Sequence, residues 1–151
     1  MKKIILVYTS MTGNTEIMAE EIASTIEKKG ITVTMKHALD TEPRELLAYD
    51  GILIGSYTYE NGSIPDEFML FYEEMEELDL TGKVAAVFGS GDRYYDEFAK
   101  AVNHFIDRLN ELGAHVVLDG LKVELTPEQS DIERCIHFAE SFVGIFLKKV
   151  K

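Results

Sequence analysis

The run Ser10-Met11-Thr12-Gly13-Asn14-Thr15 carries short hydroxyl or amide side chains at four of its six positions, and Gly13 permits a tight turn within it. A strand-like stretch from Lys3 to Thr9 feeds the run, and a helix-like stretch from Glu16 to Lys29 follows. Unpaired N–H groups at a helix N-terminus, set beside hydroxyl donors, can hold a phosphate. The run has no lysine or arginine, so hydrogen bonds and the helix dipole alone would hold it.

Two later loops each offer an aromatic face. Ser56-Tyr57-Thr58-Tyr59-Glu60-Asn61-Gly62 carries Tyr57 and Tyr59, and Ser90-Gly91-Asp92-Arg93-Tyr94-Tyr95 carries Tyr94 and Tyr95. Other phosphate chemistries fit poorly. A Walker A loop needs a lysine where Asn14 stands, and no GxGxxG fingerprint follows the first strand. Gly89-Ser90-Gly91 resembles the start of that fingerprint but meets Tyr94 where a third glycine belongs. A phospho-acceptor receiver needs paired acids after the first strand and an aspartate after the third, where this chain has Thr9-Ser10 and Gly55-Ser56. What remains is a hydroxyl-lined phosphate loop with two aromatic loops edged by Gly- and Asp-containing turns. That combination suits a planar heterocycle with a phosphate tail, the shape of flavin mononucleotide (FMN).

The elements that must position these loops alternate along the chain. The first helix ends at Lys28-Lys29-Gly30, with cations in the last turn and glycine as the stop. Ile31–His37 alternates like a strand, and a linker with Pro43 and a short helical piece at 44–48 leads to a buried strand, Gly51–Gly55. Pro65, Asp66 and Glu67 open a second helix, in which Phe68, Phe71, Tyr72, Met75 and Leu78 recur at helical spacing. Lys83–Gly89 reads as a fourth strand, and 96–112 as a third helix stopped by Gly113. A last strand, 115–123, is interrupted at Asp119-Gly120. Thr126-Pro127-Glu128-Gln129 then reads as a capping box for a fourth helix running to about Lys149. The pattern predicts an α/β fold: one doubly wound, five-stranded parallel sheet with helices on both faces and right-handed crossovers. Ligands of such sheets sit beyond the C-terminal strand edge, so the loops at Ser10, Ser56 and Ser90 should meet there.

Composition narrows the function classes. The 151 residues and 46% hydrophobic content suit a single domain, 1–151. Fifteen basic against 27 acidic residues give a net charge of -12, which argues against nucleic-acid or anionic-membrane partners. No basic residue falls between Arg44 and Lys83, where Glu45, Asp50, Glu60, Asp66, Glu67, Glu73, Glu74, Glu76, Glu77 and Asp79 build an acidic field suited to a basic partner. The N-terminal apolar run is too short for a signal peptide or membrane span, so a soluble cytoplasmic protein is expected. The one cysteine, Cys135, fits a reducing compartment and reads as a buried small apolar residue. The four histidines have no ligand-like spacing, and no metal site is expected.

With these residues in view, the chain resembles a flavodoxin of the short-chain type over essentially its whole length. Ser10–Thr15 is similar to the family's S/T-x-T-G-x-T phosphate loop. Gly55–Tyr59 with Pro65 and Asp66, and Gly89–Asp92 with Tyr95, resemble its two flavin-flanking loops. The resemblance implies a strand order of 2-1-3-4-5 and non-covalently bound FMN. It gives the phosphate to Ser10, Thr12, Asn14 and Thr15 with the amides of Met11 and Gly13. It sets Tyr59 over the inner flavin face and Tyr95 against the outer face, with Ser56, Tyr57, Thr58, Glu60, Asn61 and Gly62 around the first ring face. Backbone near Ser90, Gly91 and Asp92 should meet the pyrimidine edge. Glu60 stands where relatives often have a glycine whose peptide is thought to flip when the flavin gains a proton. A glutamate reaches such a positive-φ turn at roughly 1 kcal/mol or more, so the neutral one-electron flavin should be stabilised less here.

The implied function is a low-potential single-electron carrier, a monomer with no substrate turnover of its own. It would exchange electrons with basic-faced redox proteins, a flavodoxin/ferredoxin reductase and acceptor enzymes. Two rival readings stand beside it. One is an FMN-dependent NAD(P)H oxidoreductase or flavoprotein activator of a metalloenzyme on the same fold; the other is a non-flavin phospholigand module.

Overall fold

Alternate residues along each central strand feed two separate cores, so the sheet must be covered on both faces. In a computed structural model of the protein, which describes residues 2–59, 61–92 and 98–150, the elements run β1 (Ile4–Tyr8), α1 (Asn14–Lys28), β2 (Val33–His37), β3 (Gly51–Tyr57), α2 (Asp66–Glu74), β4 (Val84–Gly91), α3 (Lys100–Glu111), β5 (His115–Val116), β6 (Leu121–Glu124) and α4 (Gln129–Lys149). Ile4, Leu6, Leu53, Ala86 and Phe88 pack with Met18, Ile22 and Ile26 of α1 and Phe138, Phe142 and Phe146 of α4. Their neighbours Ile5, Val7, Ile52, Ile54, Ala85 and Val87 pack with Phe68 and Phe71 of α2 and Val102, Phe105 and Leu109 of α3. This period of two is the pleat expressed as burial. Each fully buried Leu, Ile, Val, Met or Phe among them contributes roughly 1.5–3 kcal/mol of transfer free energy.

All strand pairs are parallel, in the order β2-β1-β3-β4-β5, with β6 also paired to β4. The expected order and layers are thus present, with one addition. The last strand is two strands, because β5 pairs with Val84 and Ala85 and β6 resumes at Phe88. Between these points β4 spends two residues, Ala86 and Val87, while the partner spends four, Val117 to Gly120. The excess forms a bulge anchored by the Val117 N–H on the Ala85 carbonyl at 3.0 Å.

Several boundaries differ from the sequence reading. β3 and β4 continue through Tyr57 and Gly91 because Ser56↔Gly89 and Tyr57↔Ser90 keep the ladder going beyond the apolar runs. Ser56 and Ser90 therefore stand in strands. α1 begins at Asn14 instead of Glu16, turning in directly from Gly13. α4 begins at Gln129, capped by Glu128 and Asp131 in place of the box expected from Thr126: the Glu128 N–H donates to Asp131 Oδ2 at 3.0 Å. The shift follows from Leu125, whose N–H donates to the Gly91 carbonyl at 2.8 Å and holds the chain to β4 before it can coil. The 44–48 piece is a 3₁₀ turn, Pro43–Ala48.

Candidate functional site

Parallel strands of one sheet end at the same edge, which brings three loops together. After β1 the chain bends into α1 at Gly13, whose φ of 90° glycine adopts without steric cost. Ser10 Oγ accepts from the Glu16 N–H at 3.3 Å, and the Gly13 carbonyl accepts from the Ile17 N–H at 3.0 Å. The helix's leading N–H groups have no intrahelical acceptor and face this loop. Thr15 is fully buried, and its Oγ1 is hydrogen-bonded to Ser90 Oγ at 2.7 Å, tying the start of α1 to β4.

The second loop leaves β3 at Tyr57. Ser56, also fully buried, donates its hydroxyl to the Tyr57 carbonyl at 2.7 Å. The Tyr59 ring lies 5.9 Å from that of Tyr57, tilted by 54°, and its hydroxyl accepts from the Asp66 N–H at 3.1 Å. Within the loop, the Gly62 N–H donates to the Tyr59 carbonyl at 2.8 Å and the Ser63 N–H to Asn61 Oδ1 at 3.0 Å. Outside it, Thr58 Oγ1 accepts from the Ala101 N–H at 3.0 Å and His104 Nε2 meets the Gly62 carbonyl at 3.1 Å. The aromatic loop is thereby fastened to both α2 and α3.

These segments enclose a cavity of about 560 Å³, within the usual size range of small-molecule sites. Its wall is Ser10, Met11, Thr12 and Asn14 from the first loop; Tyr57, Thr58, Tyr59 and Asn61 from the second; Ser90, Gly91 and Asp92 from β4 and beyond; and Leu125. Of the expected positions, Gly13, Thr15, Ser56 and Gly62 stand behind this wall as its supports. Glu60 and Tyr95 lie outside the described residues, so the expected outer-face ring and the departure of glutamate in place of glycine do too.

Sequence reasoning missed Leu125. It has a φ of 54°, a left-handed conformation that only its bond to Gly91 makes intelligible, and no apolar periodicity marks it. With Met11 at 70% and Leu125 at 52% exposure, the mouth of the cavity has an apolar rim.

Charge lies just behind the wall. Tyr57 Oη donates to Glu67 Oε1 at 2.6 Å, and Thr9 Oγ1 donates to the same oxygen at 3.2 Å. Partial burial pushes the Glu67 carboxyl up, but bonds from Tyr57, its own N–H and Thr9, with the field of His37, outweigh burial and hold it below the ordinary carboxylate value. Burial, then the bond and charge of Glu67, push the Tyr57 phenol far above its ordinary value.

This donor set fits FMN. The Ser10 and Thr12 hydroxyls, the Asn14 amide and the start of α1 can take a phosphate dianion, and the tilted Tyr57 and Tyr59 rings offer a wall for a flat ring system. At Gly91 a Cβ would stand 2.8 Å from the Ala99 nitrogen, so close backbone packing forms that edge.

The family model for flavodoxin matches residues 6–138. "Probable flavodoxin 2" of Bacillus subtilis is 41% identical over 143 residues, covering 94% of this chain and 95% of its own. Among solved structures, oxidised flavodoxin 1 from Bacillus cereus superposes with a TM-score of 0.93 at 46% identity, covering 95% of this chain and 98% of the other. A short-chain flavodoxin associated with a PDU bacterial microcompartment gives 0.92 at 35% identity, covering 97% and 99%. With a cavity of this build at the shared sheet edge, the chain belongs to the flavodoxin family, the FMN-binding electron carriers.

Proposed function

We propose that the protein is a low-potential single-electron carrier that works without substrate turnover of its own, exchanging electrons with a basic-faced reductase and with acceptor enzymes in the cytoplasm. FMN supplies the redox chemistry, and the protein supplies binding, orientation and electrostatics. Ser10, Thr12, Asn14 and the α1 N-terminus hold the phosphate; Tyr57 and Tyr59 wall the ring; Ser90, Gly91 and Asp92 edge it. The observation that carries this reading is the pairing of a cation-free phosphate loop with an aromatic wall in one cavity, among the described residues.

Negative charge near the site supports a low potential without supplying all of it. Placing one more negative charge in the site costs about 0.4 kcal/mol for each carboxylate about 10 Å away, in a water-like dielectric before salt screening. Several such terms lower the potential by tens of millivolts, at 59 mV per 1.4 kcal/mol for one electron. Electron-rich tyrosine walls add to the same effect. No helix among the described residues is long and apolar enough to cross a membrane, which suits a carrier that diffuses between partners.

Titration of the apoprotein with FMN, followed by potentiometry, tests the reading. Stoichiometric binding and potentials below that of free FMN are expected. Failure to bind FMN, or rapid reduction by NADPH without a reductase, would overturn it.

A further inference from the structure

Glu67 lies outside the cofactor cavity, in the first turn of α2, where it also walls a groove with Leu39, Leu70 and Phe71 on the far side. One of its oxygens nevertheless joins two parts of the site. Oε1 accepts from Thr9, the fully buried residue that precedes the phosphate loop, and from Tyr57, which lines the cavity and is 9% exposed. Thr9 is fixed in turn by its N–H on the Gly55 carbonyl at 3.0 Å. The carboxylate thus sits where β1, β3 and α2 meet, and the 2.6 Å bond to Tyr57 is the shortest link from it to the cavity wall. Such charge-assisted bonds are roughly twice as strong as neutral ones and polarise the donor.

We propose that Glu67 is a positioning residue for the bound FMN. Through its hydrogen bond to Tyr57 it holds that ring in place and presents a fixed negative charge to the cavity wall, which disfavours uptake of an electron. The proposal rests on the electron-carrier reading above. It differs from the general acidic field, because it assigns the effect to one carboxylate and routes it through one phenol. Tyr59, tilted against Tyr57 at 5.9 Å, takes its orientation from the same anchor.

The test is a double-mutant cycle on the FMN-loaded protein with Glu67→Gln, Tyr57→Phe and the double variant. Gln keeps an oxygen for Tyr57 and Thr9 but removes the charge; Phe keeps the ring and removes the link. A unit charge on the order of 10 Å away, in an effective dielectric between those of water and a protein surface, changes a one-electron ratio roughly three- to tenfold. Glu67→Gln should therefore raise the reduced-to-oxidised ratio at fixed potential by that factor, about 28–59 mV, with Tyr57 present. In the Tyr57→Phe background the carboxylate is freed to solvent, so the change should fall to about twofold, the value for a unit charge about 10 Å away in a water-like dielectric.

An equal shift in both backgrounds would mean that the hydrogen bond to Tyr57 adds nothing to the effect of the charge, and overturns the proposal, as does no shift in either. A near-ultraviolet difference spectrum of the apoproteins tests the link without cofactor. Glu67→Gln should blue-shift a tyrosine band when Tyr57 is present and leave the spectrum unmoved in the Phe background; an unmoved band in both overturns the link itself. If none of the four proteins binds FMN, the carrier reading and the potential effect fall together, while the difference spectrum still decides whether Tyr57 and Glu67 are coupled.

Discussion

One methyl group, added at two different glycines, should move stability in opposite directions. Gly144 lies exposed within α4, and a Cβ built there meets nothing within 4 Å. Alanine at an open helix-interior site restricts the unfolded chain and costs nothing in packing, so Gly144→Ala should stabilise by about 1 kcal/mol. For a chain of this size that raises Tm by about 2–4 °C. Gly89 pairs with Ser56 in the ladder between β3 and β4, and a Cβ there would stand 2.2 Å from the Ser56 carbonyl oxygen and 2.7 Å from Val102 Cγ2. Neither strand can yield without parting from the other. Overpacking of this kind costs about 1–3 kcal/mol, more when backbone must move. The displaced residues are next to Tyr57 and Ser90, so FMN affinity should fall roughly tenfold for each 1.4 kcal/mol lost from bound geometry. Urea unfolding of the apoproteins, with FMN titration of each, measures both effects. Gly144→Ala should bind FMN as the parent does. If Gly89→Ala melts and binds like the parent, or if both variants shift the same way, the close approach of β3 and β4 is not what shapes the cavity wall.

Three further outcomes follow from single residues. Cys135 is fully buried, and burial pushes its thiol up to about 12, so it should resist alkylation in the native state and react at the rate of unfolding; mass spectrometry during a urea series reads this. The Glu67 and Glu45 carboxyls titrate below their ordinary 4.5 when folded, so the stability they provide is present above that value and lost as pH falls through their folded values. Acid unfolding should accordingly steepen below about pH 4.5, and less so in Glu67→Gln. Arg108 lays its guanidinium 4.0 Å from the Tyr72 ring centre and donates to the Tyr72 carbonyl at 2.6 Å, fastening α3 to α2; Arg108→Lys should cost about 1 kcal/mol in urea unfolding, because an ammonium does not reproduce the planar stacking.

The layers and strand order were legible because the apolar runs at Ile4–Tyr8, Gly51–Gly55 and Val84–Gly89 carry their own pattern. The helix stops at Gly30 and Gly113 were marked as well, both by glycines with positive φ. The ends of β3 and β4 were not. Ser56, Ser90 and Gly91 bring no apolar side chain to signal a strand, and the ladder there is set by backbone pairing. The phosphate loop declared itself through four hydroxyl and amide side chains, whereas Leu125 gave no sign, since a left-handed leucine is set by a long-range bond to Gly91. Glu67 read as one acid in a long acidic stretch. Only its place at the junction of β1, β3 and α2 distinguishes it from Glu73 or Glu76.

The buried bond between the Thr15 and Ser90 hydroxyls uses two of the site's own polar groups on each other. It joins the first turn of α1 to the central sheet through two side chains of the chain itself, and so braces the end of the cavity proposed to take the phosphate. A cavity end braced in this way should lose much of its ordering entropy when the chain folds, leaving less to be lost on cofactor binding. Cofactor exchange between molecules can then proceed without local unfolding at this end, and its rate should follow the dissociation of the cofactor, not the opening of the sheet.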